Sequence, residues 1–329
     1  QAHQENIEPT INLAMQVAQL DWSLINAIAV TVGPGLAPAL EVGITQAKKL
    51  AIQYNKKIIA VNHLEGHALS PLALNHSRKR GKQADTKVNL PSLAVVISGG
   101  HSEFILVQQL GQYQKLGQTI DDAAGECLDK VGRLLNLGYP AGPLVEKFAK
   151  KGQASKFSLP KAMTMQDNFN LSFSGLKTAA RNLITDLEKQ NKLDQQTTYD
   201  LAASLQEAVF GQIIYKLERI LLSPNLVAGT YPKRNFLDQI KNGQAPKTLI
   251  NEIWLGGGVA ANINLRRKIR QLLEKYQEQS GKKIQLKVPY SKKLCSDNAA
   301  MIGLVAGLKY SRNEFAKLDE LDRKPNLTI

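Results

Sequence analysis

The chain has 329 residues, of which 43% are hydrophobic and 21% charged, a composition typical of a globular protein long enough for two domains. It has no apolar run of the roughly 18 residues that span a bilayer, and its polar start lacks a signal peptide's apolar segment, so we expect a cytoplasmic protein. Two isolated cysteines, Cys127 and Cys295, exclude a disulfide framework and a four-cysteine zinc site. The net charge of +14 favours a polyanionic partner such as nucleic acid, although a generally basic surface explains it equally well.

The first third of the sequence alternates predicted helices with buried strands. After an amphipathic N-terminal helix, the predicted elements are a strand at 26–32, a helix at 43–55, the strand "KKIIAVN", a helix from His63, the strand "SLAVVI" and a hairpin of "EFILVQQ" and "YQKLGQTI". Between them, residues 76–91 are polar, basic and unpatterned, which predicts an exposed loop. The alternation indicates an α/β layer.

Helices dominate the middle of the chain. They are predicted at 122–136, 143–151, 174–190 and 198–222. Residues 223–250 then carry proline, glycine and charge and are predicted to be a surface insertion. A strand and glycine turn in "NEIWLGGGVAAN", the strand "KIQLKVP" and a helix from about Ser296 follow. Strand–glycine turn–helix units on either side of a helical middle predict two α/β lobes with a cleft between them.

Three glycine turns follow predicted strands, at 33–35, 98–100 and 256–258. Glycine at a strand end allows a ligand to approach the backbone closely, and N–H groups there suit phosphate oxygens. None of the turns matches the P-loop or the dinucleotide-binding pattern. A single such turn is best explained as a connector, but three of them favour a nucleotide-binding cleft.

Clusters of polar residues accompany these turns. Asp122, Glu126 and Asp129 are spaced four and three apart and are predicted to share one helix face, where they could hold ribose hydroxyls or an amine. The alternative is a favourable interaction of acids with the helix dipole. Other candidates are Ser172, Ser174 and Lys177, Asn262 as a base or sugar contact, and Asp297 with Asn298 at a helix start, where helix capping is the competing explanation.

The stretch "NHLEGHA" places His63 and His67 four residues apart, so that both can bind one metal from one helix face. Glu65 lies roughly 200° around the helix from His63, at about 100° per residue, so it cannot act as the base of an HExxH metalloprotease. Gly66 weakens a helix by about 1 kcal/mol, which suggests that it serves a close approach. A carboxylate such as Asp297 would complete a set suited to iron(II) or zinc, although paired histidines alone are more often structural.

Seven stretches, in order along the chain, resemble the motifs of the tRNA N6-adenosine threonylcarbamoyltransferase (TsaD) family, whose members were once described as O-sialoglycoprotein endopeptidases. They are "VGPGLAPALEVGITQAKKLA", "VNHLEGHALSP", "VISGGHSEF", "DDAAGECLDKVGRLL", "NLSFSGLKTA", "LGGGVAANINLR" and "LCSDNAAMIG". The resemblance covers roughly residues 3–311.

The resemblance implies an actin-like ATPase (ASKHA) fold, with two ribonuclease-H-like lobes and an interlobe cleft. It places the first lobe at 1–95 plus 291–329 and the second at 96–290. It implies transfer of a threonylcarbamoyl group from threonylcarbamoyl-adenylate to N6 of adenosine 37 in tRNAs that read codons beginning with A. The implied protein partners are a TsaB-like paralogue and a TsaE-like ATPase, without a membrane.

The matching motifs also imply which residues form the functional site. The resemblance implies that His63, His67 and Asp297 bind one divalent metal, iron(II) rather than zinc. The implied substrate contacts are Val96, Ile97, Ser98, Gly99, Gly100, Asp129, Gly142, Glu146 and Asn262. No catalytic side chain is assigned, and His101 or a nearby acid is a hypothesis for proton transfer.

One departure from the family pattern concerns the beginning of the chain. Family members start with a strand and a loop similar to "GIETSCDET", and this sequence starts after them, so we expect an N-terminally incomplete first lobe and a dependence of activity on that loop. Two alternative functions place different demands on these residues. A metallopeptidase would need Glu65 beside the metal, and a non-catalytic scaffold paralogue would not need both histidines and Asp297.

Overall fold

The computed structural model describes residues 2–73, 88–163, 166–223, 226 and 248–329. The chain divides into two compact units, one of Gln1–Ala73 with Asp297–Ile329 and one of Leu74–Ser296. Most of the loop predicted at 76–91 and of the insertion predicted at 223–250 lies outside the described residues.

The first unit is built on two parallel strands joined by a helix. Its elements are α1 (Ala2–Ala18), β1 (Ala27–Gly33), α2 (Ala37–Gln53), β2 (Lys57–Asn62), α3 (His63–Leu69) and, near the C-terminus, α9 (Ala299–Ser311). β1 and β2 pair in parallel register from Ala27 opposite Lys57, which requires the crossover that α2 provides. Val30 and Val32 of β1 and Leu40 and Ile44 of α2 form the small core between them.

A C-terminal segment completes this unit. Ala316 N donates to Ile58 O at 2.9 Å, and Lys324 N donates to Val32 O at 2.6 Å. Gly33 permits this approach, because a methyl group there would lie 1.9 Å from Lys324 O. The Gly33–Gly35 turn, predicted as a ligand loop, is therefore occupied by the chain itself: Gly35 N donates to Pro325 O at 3.1 Å.

The second unit contains a five-stranded sheet in the order β5-β4-β3-β6-β7. Its strands are β3 (Ser92–Ile97), β4 (Ser102–Gln109), β5 (Gln112–Gln118), β6 (Glu252–Gly256) and β7 (Gln285–Lys287). β3, β4 and β5 form an antiparallel meander, whereas β3, β6 and β7 run parallel. Every residue of β3 is buried, as the continuous apolar run "SLAVVI" predicts for a central strand.

Helices cover this sheet and supply most of the core. They are α4 (Ala124–Leu134), α5 (Gly142–Ala149), α6 (Ser174–Lys189), α7 (Gln195–Leu221) and α8 (Ile263–Ser280). The 27-residue α7 is largely buried, and its Leu205, Val209 and Phe210 join Leu93 and Phe104 of the sheet in one hydrophobic cluster. In the described part of the chain, no helix is both long and apolar enough to cross a membrane.

The mixed α/β class predicted from the sequence is confirmed. The compact units divide at 73/74 and 296/297, whereas the resemblance placed the lobe bounds at 95/96 and 290/291. Residues 92–95 belong to the second unit because β3 is hydrogen-bonded to β4 and β6. Residues 291–296 also belong to it, and Cys295 Sγ accepts a hydrogen bond from Arg266 of α8 at 3.4 Å.

Candidate metal centre and glycine-lined sheet edge

The first histidine of the candidate metal centre is positioned by the junction of β2 and α3. Asn62 ends the strand, and its Oδ1 accepts hydrogen bonds from Leu64 N at 2.8 Å and Glu65 N at 3.4 Å, which caps α3. Its Nδ2 donates to Thr328 O at 3.0 Å, so the cap is tied to the C-terminal segment. Asn62 therefore fixes where the helix starts, and His63 is its first residue.

The carboxylate comes from the start of α9. Asn298 caps this helix, with its Oδ1 accepting from Met301 N at 2.9 Å, and Asp297 stands one residue before the cap. Capping thus explains Asn298 but leaves the side chain of Asp297 for another role. Gly66 lets α3 pack against α9, because a methyl group there would lie 3.1 Å from Ile302 Cδ1 and 3.2 Å from Met301 Cγ. The close approach predicted for Gly66 is confirmed.

His63, His67 and Asp297 converge within the first unit. Their potential ligand atoms all lie within 4.8 Å of one another, and Asp297 Oδ1 is 3.5 Å from His63 Nε2 and 3.0 Å from His67 Nε2. The adjacent imidazole groups of His63 and His67 hold the pKa of Asp297 below its usual range, which outweighs the opposite effect of burial. The carboxylate is therefore ionised and available as a ligand.

The buried side chain of His67 indicates that this group of three residues fits a metal ion. The ring of His67 is fully buried, yet neither of its nitrogens has a hydrogen-bond partner among the described residues. Its contact with Asp297, at 3.0 Å from Nε2, is an ion pair and not a hydrogen bond. Buried polar atoms without a partner are rare in folded proteins, and a bound ion is a standard explanation. Two imidazoles and one carboxylate fit a divalent transition metal.

Glu65, by contrast, faces away from the centre. Its carboxylate lies 3.9 Å from Lys309 Nζ, which also donates to Ala60 O at 3.0 Å. Glu65 is mostly buried and is not part of the group that could hold a metal. The geometry predicted from helix spacing is confirmed, and it leaves this glutamate without the position that a peptidase base requires.

Two of the three glycine turns lie side by side at one edge of the second unit's sheet. Val96 of β3 pairs with Gly256 of β6 in parallel, so the turns at 98–100 and 256–258 leave neighbouring strands at their carboxyl ends. A methyl group on Gly257 would lie 2.4 Å from Ile97 O, and one on Gly125 at the start of α4 would lie 2.5 Å from Ser98 O. Because Gly257 and Gly125 have no side chains, the turn after β6 and the start of α4 can both pack against the backbone at the end of β3.

The other glycines of these turns face open space. A methyl group on Gly99, Gly100 or Gly258 would meet no described atom within 4 Å. Ser98 holds the first turn in shape, because its N donates to His101 O at 2.7 Å and its Oγ accepts from His101 N at 3.0 Å. The edge therefore offers exposed backbone on a rigid support, which suits an anionic ligand.

The remaining predicted substrate residues lie in the same unit, and each also makes a structural contact. Asp129 Oδ1 accepts from Gly142 N at 2.6 Å, and Glu146 Oε1 accepts from Ile263 N at 2.9 Å. Asn262 caps α8 through Asn264 N at 2.9 Å and donates to Gln206 Oε1 at 2.9 Å. Gln206 carried no signal in the sequence, because only the packing of α7 against α8 brings it to Asn262.

The acidic cluster is not a free acidic face. Asp122 forms ion pairs with Lys177 and, at 3.6 Å, with Lys130, which also contacts Glu126 at 2.6 Å. The i,i+4 spacing of Glu126 and Lys130 is a signal that sequence analysis could have used. The proposed amine or ribose site on Asp122 and Glu126 is therefore not supported.

Ser172 and Ser174 anchor the start of α6 to Asp121. The Ser172 and Ser174 hydroxyls donate to Asp121 Oδ2 at 2.5 and 2.9 Å, and Phe173 N donates to Oδ1 at 2.7 Å. Burial opposes ionisation of Asp121, but these hydrogen bonds prevail and lower its pKa. Both serines are thus held as structural donors.

Comparison with known proteins agrees with the sequence motifs. The family model described as TsaD, tRNA N6-adenosine threonylcarbamoyltransferase, matches residues 1–304. Proteins of that name from Pelagibacter ubique and Nostoc punctiforme are 38% and 39% identical; the alignments cover 97% and 92% of this chain and 78% and 76% of the relatives.

A solved structure supports the fold. A crystal structure of full-length HypF in a phosphate- and nucleotide-bound form is similar to this chain, with a TM-score of 0.53 and 13% sequence identity. The alignment covers 94% of this chain and 50% of the HypF chain. This likeness concerns the fold alone, and together with the family match it agrees with the actin-like ATPase fold implied by the motifs. On the match over residues 1–304 and these relatives, the chain belongs to the tRNA N6-adenosine threonylcarbamoyltransferase family.

Proposed function

We propose that this chain transfers the threonylcarbamoyl group of threonylcarbamoyl-adenylate to N6 of adenosine 37 in tRNAs that read codons beginning with A. The convergence of His63, His67 and Asp297 is the structural observation that carries the proposal, because it preserves a candidate metal centre in a chain that matches the family over residues 1–304. In the reaction, N6 attacks the carbamoyl carbon, the new C–N bond forms, the bond to the phosphate oxygen breaks, AMP leaves and N6 loses a proton.

The donor set of the centre supports one divalent metal, with iron(II) preferred to zinc because a two-histidine, one-carboxylate set is typical of non-haem iron. When bound, such a metal would polarise the carbamoyl carbonyl or hold its oxygens. His67 would hold it from a buried position and Asp297 from the exposed side. Metal dependence of the transfer is part of the proposal.

For the donor, we assign the adenylate to the glycine-lined edge of the second unit. Val96, Ile97 and Ser98–Gly100 would present backbone to the phosphate, since exposed N–H groups stabilise a leaving phosphate. Asp129, Gly142, Glu146 and Asn262 are proposed to make the remaining contacts, either directly or through the loops that they hold in place.

Direct attack by the adenosine amine needs no protein nucleophile, and the cysteines are poorly suited to that role. Burial raises the pKa of Cys127 to about 12 and also raises the pKa of Cys295. Both thiols are buried. A covalent acyl-enzyme on either residue is therefore not part of the mechanism.

The protein partners, the cellular compartment and the tRNA-binding surface are also part of the proposal. The TsaB-like paralogue and the TsaE-like ATPase are the protein partners that the family implies, and the cytoplasm is the compartment predicted from the sequence. The charge of +14 supports a contribution of cationic surface to tRNA binding. No observation favours a metallopeptidase, since Glu65 contacts Lys309, or an inactive scaffold, since all three candidate ligands are present.

Reconstitution tests the function. The chain, supplied with iron(II), threonylcarbamoyl-adenylate, unmodified tRNA and the two family partners, is expected to form threonylcarbamoyl-adenosine, detected by mass spectrometry after nuclease digestion. The same tRNA with guanosine at position 37 is the control and should stay unmodified. A parallel reaction uses the chain with a relative's N-terminal segment ahead of Gln1. Absence of the modified nucleoside from both would contradict the proposal.

His101 is the most specific hypothesis for the proton transfer. It follows the Gly99–Gly100 turn, and its backbone is fixed by Ser98 at both N and O. If its imidazole accepts the proton from N6, His101→Ala should lower kcat by about 100-fold with little change in KM for tRNA, as for loss of general base catalysis. Steady-state kinetics between pH 6 and 9 check this, and His101→Asn serves as a polar control. A variant with unimpaired turnover removes His101 from the mechanism.

A further inference from the structure

A basic groove in the second unit has no role in the site described above. It lies between α4 and α6 and has a volume of about 370 Å³. The residues that line this α4–α6 groove are Lys130, Arg133, Leu134, Lys177, Thr178 and Arg181. The cations stand one helical turn apart on each helix, three residues on α4 and four on α6, so each helix presents two of them on one face.

The two lysines of the groove are structural. Lys177 and Lys130 both pair with Asp122, and Lys130 also pairs with Glu126. These contacts neutralise the carboxylates at the rim and hold the lysine side chains in place. Among the described residues, the ion pairs of the four groove cations involve these two carboxylates, which leaves the paired cluster a net charge of 4 − 2 = +2.

The two arginines carry the remaining charge. Arg133 and Arg181 are exposed, and neither forms an ion pair with another side chain in the described part of the protein. A guanidinium group binds phosphate through two parallel hydrogen bonds, which makes arginine the preferred residue for nucleic-acid backbones. The groove can therefore accept phosphate groups without first breaking an internal ion pair.

An exposed aromatic ring lies beside Arg133. Tyr139 is 78% exposed, and the Arg133 guanidinium carbon lies 6.0 Å from the centre of its ring. Single-stranded RNA is commonly bound by a cationic groove next to aromatic rings on which bases stack. Tyrosine and arginine are also common at protein interfaces, but the net charge of +14 favours a polyanionic partner. The combination favours RNA.

We propose that the α4–α6 groove binds the sugar–phosphate backbone of tRNA, with Arg133 and Arg181 on phosphates and Tyr139 stacked on an unpaired base. This inference rests on the proposed function in so far as the RNA is a tRNA. Phosphate contacts position a nucleic acid, and the stacked base adds affinity that does not depend on salt.

Salt dependence of tRNA binding separates these contributions. Fluorescence anisotropy with labelled, unmodified tRNA is measured between 50 and 300 mM KCl for the unaltered chain and for Arg133→Gln/Arg181→Gln. The double variant should lower the slope of log K against log salt by about 1.4–1.8 and weaken binding about 25- to 60-fold near 0.1 M salt. Tyr139→Ala should weaken binding about fivefold or more with an unchanged slope, whereas Tyr139→Phe should bind normally.

A matched variant controls for the loss of two positive charges. Arg270→Gln/Lys283→Gln removes two exposed cations of the same unit, which lie on and just after α8 and do not line the groove. It should change the slope by less than half as much as the groove variant. Equal slopes for the two double variants would overturn the assignment, as would an unchanged slope for the groove variant.

Kinetics distinguish this inference from the proposed function. In the transfer assay the groove variant should raise KM for tRNA and leave kcat at saturating tRNA unchanged. If the unaltered chain forms the modified nucleoside while the groove variant behaves normally, the groove assignment alone fails. If the unaltered chain binds tRNA with the expected slopes but forms no modified nucleoside, the groove is upheld and the proposed function fails.

Discussion

Replacing Asp297 by asparagine is expected to remove the bound metal from the purified protein and to reduce threonylcarbamoyl transfer at least about 100-fold. Loss of a partner that merely orients a metal ligand already costs 10- to 100-fold, and Asp297 is proposed as a direct ligand. The substitution keeps the shape of the side chain. It also leaves the cap of α9 intact, because Asn298 makes that hydrogen bond. Elemental analysis after iron(II) loading should fall from one metal per chain to a small fraction.

Glu65→Gln is the matched control. It changes a carboxylate of the same unit that contacts Lys309 and lies outside the metal group. We expect normal metal content and normal transfer, so that loss of charge as such is excluded as the cause. The assignment of Asp297 as a ligand fails if Asp297→Asn retains a full equivalent of metal. A glycoprotein-cleaving activity that is lost in Glu65→Gln would instead revive the peptidase alternative.

Gly257→Ala is expected to lower the free energy of unfolding by about 3 kcal/mol or more. Its φ of 88° and ψ of 162° fall in a region that is almost restricted to glycine, where another residue costs about 1–3 kcal/mol. The added methyl group would also lie 2.4 Å from Ile97 O, and relief of such overpacking costs a further 1–3 kcal/mol. For a unit of this size the melting temperature should fall by about 6–12 °C.

Gly258→Ala provides the comparison at the next position. A methyl group there meets no described atom within 4 Å, and its φ is not positive, so its effect should stay within about 0.5 kcal/mol. Urea denaturation followed by circular dichroism measures both variants. Equal stability of the two would show that the sheet edge relaxes around Gly257 and that its backbone is not tightly constrained.

Local geometry in the sequence was sufficient for the two histidines of the candidate metal centre. Helix geometry alone placed His63 and His67 on one face and Glu65 on another, because these residues lie within a single short helix. Asp297 was harder to assign, since a residue before a helix is equally well explained as a cap. Only the structure separated the two roles, giving the cap to Asn298 and turning Asp297 toward the histidines.

Long-range contacts account for what the sequence could not decide. The three glycine turns look equivalent as sequence, yet Gly33 accommodates the C-terminal segment while Gly257 accommodates the end of β3. In the sequence, the acids near α4 have the spacing of a binding face, but in the structure Lys177, more than fifty residues away, lies beside Asp122.

The sequence by itself determined the family, the α/β class and the placement of His63 and His67 on one helix face, because these depend on ordered motifs and on periodicity within single elements. The tertiary structure decided which polar groups are already satisfied and which remain available. That distinction depends on partners distant in sequence, and it separates the unsatisfied imidazole of His67 and the exposed arginines of the α4–α6 groove from carboxylates that only support the fold.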